Sequence, residues 1–268
     1  MAERVLDWRK RGRWLRAIPN YATQVLTIDV RRRVEIARPK CWSDDLAWLP
    51  HYEELVPEFC EKLWGYYTHA KAFHGCRPDS VASYFEYGLQ GQSLDRILQK
   101  FREIFADVPT ELLDRAVEVM HSRRADERGC IWFSGDDEKM IRDHGHYIIN
   151  GSEYLLALAA HIDNVDRWGE DYRLRLRTVG IPTILEVDIP VDLIPENQKL
   201  EVARMILSEW GQLRARKPLG RSSSPCYVVR CDIPASCIKA HYHPTCIPDF
   251  HTNDGPYQNR QVTCELCL

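Results

Sequence analysis

The segment Thr183–Ile189, TILEVDI, constrains the fold more than any other stretch of the chain. Its β-branched residues and apolar alternation specify a strand, and Pro190 stops it by lacking a ladder donor. PENQKLEVARMILSEWGQL follows with apolar residues at helical spacing, and a second strand signal comes in CYVVRCDI. Strands and amphipathic helices in this order bury their apolar faces by laying helices on a sheet. The expected fold class is α+β, a mixed sheet with helices inserted between its strands. ILEVDIPVDLI and VVRCDIPASCI also share a strand, the tripeptide DIP and an apolar residue four positions after the proline. Two strands leaving one sheet by similar turns would produce that echo.

The remaining elements follow from the same periodicities. Leu55, Phe59, Leu63 and Tyr67 fall on one helical face between His51 and Ala70. SVASYFEYGL reads as a short helix ended by Gly88. LDRILQKFREIF and TELLDRAVEVMHS read as two more helices, the second with Thr110 as N-cap. Gly129 opens the strand GCIWFS, GDDEKMIRDHG reads as a turn and brief helix, and NGSEYLLALAAHI as a helix capped by Ser152. Residues 1–50 read as a basic extension in which RVLDWRKRGRWLR and VRRRVEIARPK flank a candidate strand, YATQVLTIDV. Residues 51–268 read as the main domain, broken by one flexible loop, ARKPLGRSSSP.

At 268 residues, with 44% apolar and 28% charged side chains, the chain can bury a large core. A net charge of -3 gives no general drive toward nucleic acid or anionic membranes. No apolar run approaches the roughly 20 residues that a bilayer crossing requires. The basic N-terminus lacks the apolar core of a signal peptide. A cytoplasmic location is expected, with the ten cysteines reduced.

FHGCRPDSVASYFEYGLQG raises the question of chemistry. A histidine on a strand, followed by glycine, sets an imidazole beside an unobstructed backbone. Arg77 would meet a phosphate in a bidentate fashion. FHG followed by a helix ending in EYGL, and then GCIWFS, resembles the first two signatures of the ADP-ribosyltransferase superfamily, in the family's order.

The resemblance implies an ADP-ribosyltransferase-like core that binds NAD as substrate, transferring ADP-ribose to a protein, nucleic-acid or small-molecule acceptor with release of nicotinamide. Attack by water instead would make the enzyme an NAD glycohydrolase. His74 corresponds to the histidine that contacts the adenosine ribose, and Gly75 to the backbone contact with nicotinamide. Trp132 or Phe133 belongs to the second signature, where Trp132 occupies the usual tyrosine position. Tyr147 or Tyr154 would supply the aromatic surface against nicotinamide. The chemistry needs a fixed carboxylate against the positive charge that develops on the sugar. Glu186, inside TILEVDI with Ile184 and Asp188 as companions on its face, is the leading candidate beside His74. Glu153 and Glu265 are the alternatives.

The tail gathers zinc-preferring side chains: Cys237, His241, His243 and Cys246 in CIKAHYHPTC, and Cys264 and Cys267 in CELC. A structural zinc would fasten a segment with little apolar content of its own. The CxxC would serve equally as a redox pair. A zinc-stabilised nucleic-acid-binding or protein-interaction module without catalysis is the alternative function. Strongly salt-dependent binding would mark the nucleic-acid form.

Overall fold

The computed structural model describes residues 3–37, 46–120, 128–165, 171–217, 223–251 and 255–267. In chain order, β1 (Val5–Leu6) is followed by α1 (Arg11–Tyr21), α2 (Ile28–Ala37), α3 (Tyr52–Tyr66) and β2 (His69–Cys76). Then come α4 (Ala82–Tyr87), α5 (Leu94–Ile104), α6 (Thr110–Val119), β3 (Ile131–Ser134), α7 (Asp137–Asn150) and α8 (Glu153–Val165). The chain continues with β4 (Thr183–Pro190), α9 (Glu196–Arg214), β5 (Cys226–Val229), β6 (Ile238–Tyr242), β7 (Cys246–Ile247) and β8 (Tyr257–Gln258). This is a mixed α+β fold around a central sheet ordered β5-β3-β2-β4-β6, in which β1 also pairs with β2 in parallel.

The chain divides into two compact units. The first comprises Met1–Ala72, Ser134–Asp136 and Asp188–Tyr227, which groups the N-terminal helices with α9. Within it α3 packs against α1 and α9, burying Phe59 and Leu63, while Trp8 stacks on Trp14 at 5.0 Å. YATQVLTIDV is not a strand. Tyr21 closes α1, Ile28 opens α2, and Ala22, Val25 and Leu26 between them are buried. Tertiary burial at those positions outweighs the β preference of Val and Thr.

The second unit comprises Phe73–Phe133, Asp137–Val187 and Val228–Leu268. One cluster joins α5, α6 and α8 through Phe101, Phe105, Leu113, Tyr154 and Leu158. Another joins Phe73, Met140, Ile148, Ile149, Ile184 and Ile247 between the sheet and α7. Ser93 caps α5, accepting from Arg96 N, and Ser152 accepts from Leu155 N at 3.0 Å. Pro109, not Thr110, occupies the cap position of α6. α7 runs well past the brief helix expected there. Residues 218–222 of the expected flexible loop lie outside the described residues.

Both DIP tripeptides lead into single 3-10 turns, Val191–Leu193 and Ala235–Cys237. Each is capped by its proline in nearly the same conformation, φ -56 ψ 136 for Pro190 and φ -58 ψ 146 for Pro234. The sequence echo is therefore one turn used twice.

Candidate metal centre

Side chains alternate between the two faces of a strand, so a few contacts assign every position near the C-terminal tail. Phe73 and Ile184 share a cluster with Ile148 of α7, and a Cβ on Gly75 would lie 2.7 Å from Ile148 Cγ1. These residues face α7. Tyr242 pairs with Ile184, and its hydroxyl donates to Asp137 Oδ2 of α7 at 2.7 Å. His74 therefore lies on the opposite face. So does His241, which pairs with Leu185, and His243 two residues further.

On that opposite face four side chains converge. One ligand atom from each of His241, His243, Cys264 and Cys267 lies within 4.8 Å of the others. The two sulfurs are 3.8 Å apart, and each is 3.3 Å from His241 Nε2. Around a tetrahedral zinc with Zn–S of about 2.3 Å and Zn–N of about 2.0 Å, the S–S edge is ~3.8 Å and the S–N edge ~3.5 Å. The spacing matches within a few tenths of an ångström. The CxxC turn is itself ordered: Leu266 N donates to Cys264 Sγ at 3.4 Å, and Cys267 N to Cys264 O at 3.1 Å.

His243 carries the sharpest signal. Its Nδ1 lies 3.0 Å from Pro182 O and 3.2 Å from Thr183 Oγ1, whose own proton goes to Ile181 O. Both partners accept, so Nδ1 holds the proton and Nε2 keeps its lone pair. That Nε2 is buried without a hydrogen-bond partner. A carbonyl fixing Nδ1–H while Nε2 points to a cation is the usual support of a metal-bound histidine. Desolvation lowers the His241 imidazole, reinforced by His243, and desolvation raises the Cys264 thiol. A bound divalent cation would reverse the thiol shift by stabilising the thiolate.

Cys237 and Cys246 stand outside the group. Cys237 is buried at the 3-10 turn before β6, and Cys246 on β7 accepts from Gln258 Nε2 at 3.6 Å. Strand alternation accounts for the histidine pair, since His241 and His243 are two residues apart on one face.

His74 is also held in a defined state. Its Nδ1 lies 2.9 Å from Trp132 O and, facing a carbonyl, must donate; its ring sits 5.6 Å from Phe133. Nε2 is left as an acceptor. Desolvation lowers the pKa of this imidazole, and the Trp132 bond only partly offsets the shift. The associated stability is full above the unfolded value of about 6.5 and is lost as pH falls through the lower folded value. In an NMR titration the His74 ring should stay neutral at pH 6.5, whereas protonation above that pH would contradict this environment.

The other sequence candidates are dispersed. Gly75 does not present open backbone on its Cα side, because Ile148 covers it. Trp132 is 54% exposed, and strand alternation sets it on the face opposite Phe133. Tyr147 packs on His146 at 3.9 Å. Tyr154 is 1% exposed within the α5–α6–α8 cluster, which removes it as a stacking surface for a ligand. Glu186 follows Ile184 by two residues, before the register shift at Glu186/Val187, and so faces α7, away from His74. Glu153 begins α8 on the surface. Glu265 accepts from Ser80 Oγ and Ala82 N.

Arg77 is occupied by main-chain carbonyls rather than poised for phosphate. Its Nε donates to Val179 O at 2.6 Å, Nη1 to Ile149 O at 3.0 Å, and Nη2 to Arg177 O. A lysine ammonium cannot reproduce that fork. Arg77→Lys should therefore destabilise the protein by about 2–4 kcal/mol in urea titration, because it strands half-buried carbonyls. An unchanged midpoint would contradict the structural role.

Comparison with protein-family models, curated proteins and solved structures gives no match. No helix among the described residues is long and apolar enough to cross a membrane.

Proposed function

We propose that His241, His243, Cys264 and Cys267 hold a structural zinc ion that fastens the C-terminal segment to β6. The observation that carries this reading is the buried, unpartnered Nε2 of His243, on one of four side chains whose ligand atoms lie within 4.8 Å of one another. Four protein ligands fill the coordination sphere and leave no position for a reacting water, which separates a structural from a catalytic zinc. A redox role for the CxxC pair does not account for the two histidines. Elemental analysis of protein purified without chelator tests the proposal, with one zinc per chain expected and none in the Cys264→Ser/Cys267→Ser variant.

A second reading, transfer of ADP-ribose from NAD, is favoured by the state of His74. A neutral imidazole with its donor nitrogen committed and Nε2 left as acceptor suits a ribose hydroxyl. The reaction would break the nicotinamide–ribose bond and form a new bond from the anomeric carbon to an acceptor oxygen or nitrogen. The acceptor's proton leaves to solvent or to a base. The resemblance of FHG and GCIWFS to the transferase signatures supplies the reaction class, and β3 brings its Trp132 carbonyl and Phe133 ring to His74. Since Glu186 projects from the other face, this reading gives His74 a substrate-holding role and Glu186 none. Mass spectrometry of NAD incubated with the protein and with protein, nucleic-acid or water acceptors tests it. Nicotinamide release should fall about tenfold or more in His74→Ala, the loss expected of one substrate hydrogen bond, and persist in Glu186→Gln. No release from wild type with any acceptor would end the transferase reading and leave the metal centre untouched.

A further inference from the structure

Glu265 lies between the two cysteines of the proposed metal centre, yet its carboxylate is directed elsewhere. Oε1 accepts from Ser80 Oγ at 2.6 Å and from the main-chain N–H of Ala82 at 2.9 Å, where α4 begins. A second contact ties α4 to the proposed centre, the Phe85 ring meeting His241 edge-on at 5.6 Å. Helix α4 has six residues, none of them fully buried. A helix this short has no stability of its own and takes its position from the contacts around it. Its C-terminal end is pinned where Gly88 passes into the Leu89–Ile233 bridge. At its start, Val81 is buried, and the Asp79–Lys100 ion pair is too exposed to contribute much.

We propose that the metal centre is a latch for α4. The inference rests on the zinc reading given above. Ligation of Cys264 and Cys267 fixes the turn between them. That turn fixes Glu265, and Glu265 holds the Ser80–Ala82 segment in place. The segment is the exit of β2, the strand that carries His74, so loading of the centre sets the order of the chain that leaves the candidate substrate face. Glu265 thereby acts as a positioning residue whose partners lie nearly two hundred positions earlier in the chain. Release of the cation, by chelation or by loss of its thiolates, frees the turn and with it the start of α4.

Hydrogen exchange followed by mass spectrometry on the zinc-loaded full chain, with zinc counted by native mass spectrometry on the same samples, tests the latch. Glu265→Ala should retain one zinc but exchange peptides covering 80–87 about tenfold faster, the consequence of losing a charge-assisted hydrogen bond. Glu265→Gln keeps an acceptor oxygen at the same position and should give an intermediate rate. Cys264→Ser/Cys267→Ser should lose zinc and match the rate of Glu265→Ala. Equal exchange in zinc-loaded wild type and Glu265→Ala overturns the latch and leaves the zinc site standing. Wild type without zinc overturns the site itself, and the latch with it.

Discussion

Gly88→Ala is expected to destabilise the protein by about 3 kcal/mol or more, an effect out of proportion to one methyl group. Two costs add. Gly88 ends α4 at φ 80 and ψ -172, a backbone conformation essentially closed to residues with a Cβ. A Cβ built there would also lie 2.2 Å from Ile233 O and 2.9 Å from Ala235 N, both main-chain atoms. Neither can move without breaking the Leu89–Ile233 bridge, whose two hydrogen bonds measure 2.9 and 2.8 Å. Chemical denaturation of the purified variant measures the cost. A loss under about 1 kcal/mol, the ordinary effect of a surface substitution, would mean that this turn is looser than described.

His243→Ala carries the second large effect, on metal content and on the order of the tail. It removes the ligand whose Nε2 lacks a partner, and it leaves Pro182 O without its donor. Metal-ligand loss unfolds small zinc domains outright, at apparent binding energies of about 10–16 kcal/mol. Here the second unit has apolar clusters of its own, one of which includes Ile247, so the loss should appear as local unfolding of residues 261–267. Limited proteolysis should cut that segment in His243→Ala and in chelated wild type, and spare it in the zinc-loaded protein. His243→Cys, which restores a four-ligand Cys3His set, should regain zinc and protection. Equal cleavage of all four samples would contradict a metal-fastened tail.

The strand TILEVDI and the helix after it were legible because period and length agreed with the final packing. The repeated DIP turn was legible as well, because the proline conformation that caps each 3-10 turn is local. Helix α7 continues past Gly145 for a tertiary reason. Gly145, which looks like a stop in sequence, lies where a Cβ would come within 2.4 Å of Ile247 Cγ2, so the glycine permits close packing against β7. His144, at φ -132 and ψ 15, takes up the kink. At the candidate site, residue types were visible in the sequence and faces were not. His241, His243, Cys264 and Cys267 could be gathered from spacing, but excluding Cys237 and Cys246 required the three-dimensional grouping of the ligand atoms. Strand alternation, counted from the α7-facing Phe73 and Ile184, separates Glu186 from His74. No local pattern announces that Arg77 bonds three carbonyls, that Tyr154 sits in a helical cluster, or that Glu265 reaches Ser80 and Ala82.

Zinc stoichiometry tests the central claim most directly. Protein purified without chelator, exchanged into metal-free buffer and assayed by elemental mass spectrometry should carry one zinc per chain. Cys264→Ser/Cys267→Ser and His243→Ala should carry almost none, whereas Cys237→Ser and Cys246→Ser should match wild type. Metal-free wild type that also fails to take up added zinc would contradict the account, as would equal zinc in the ligand variants.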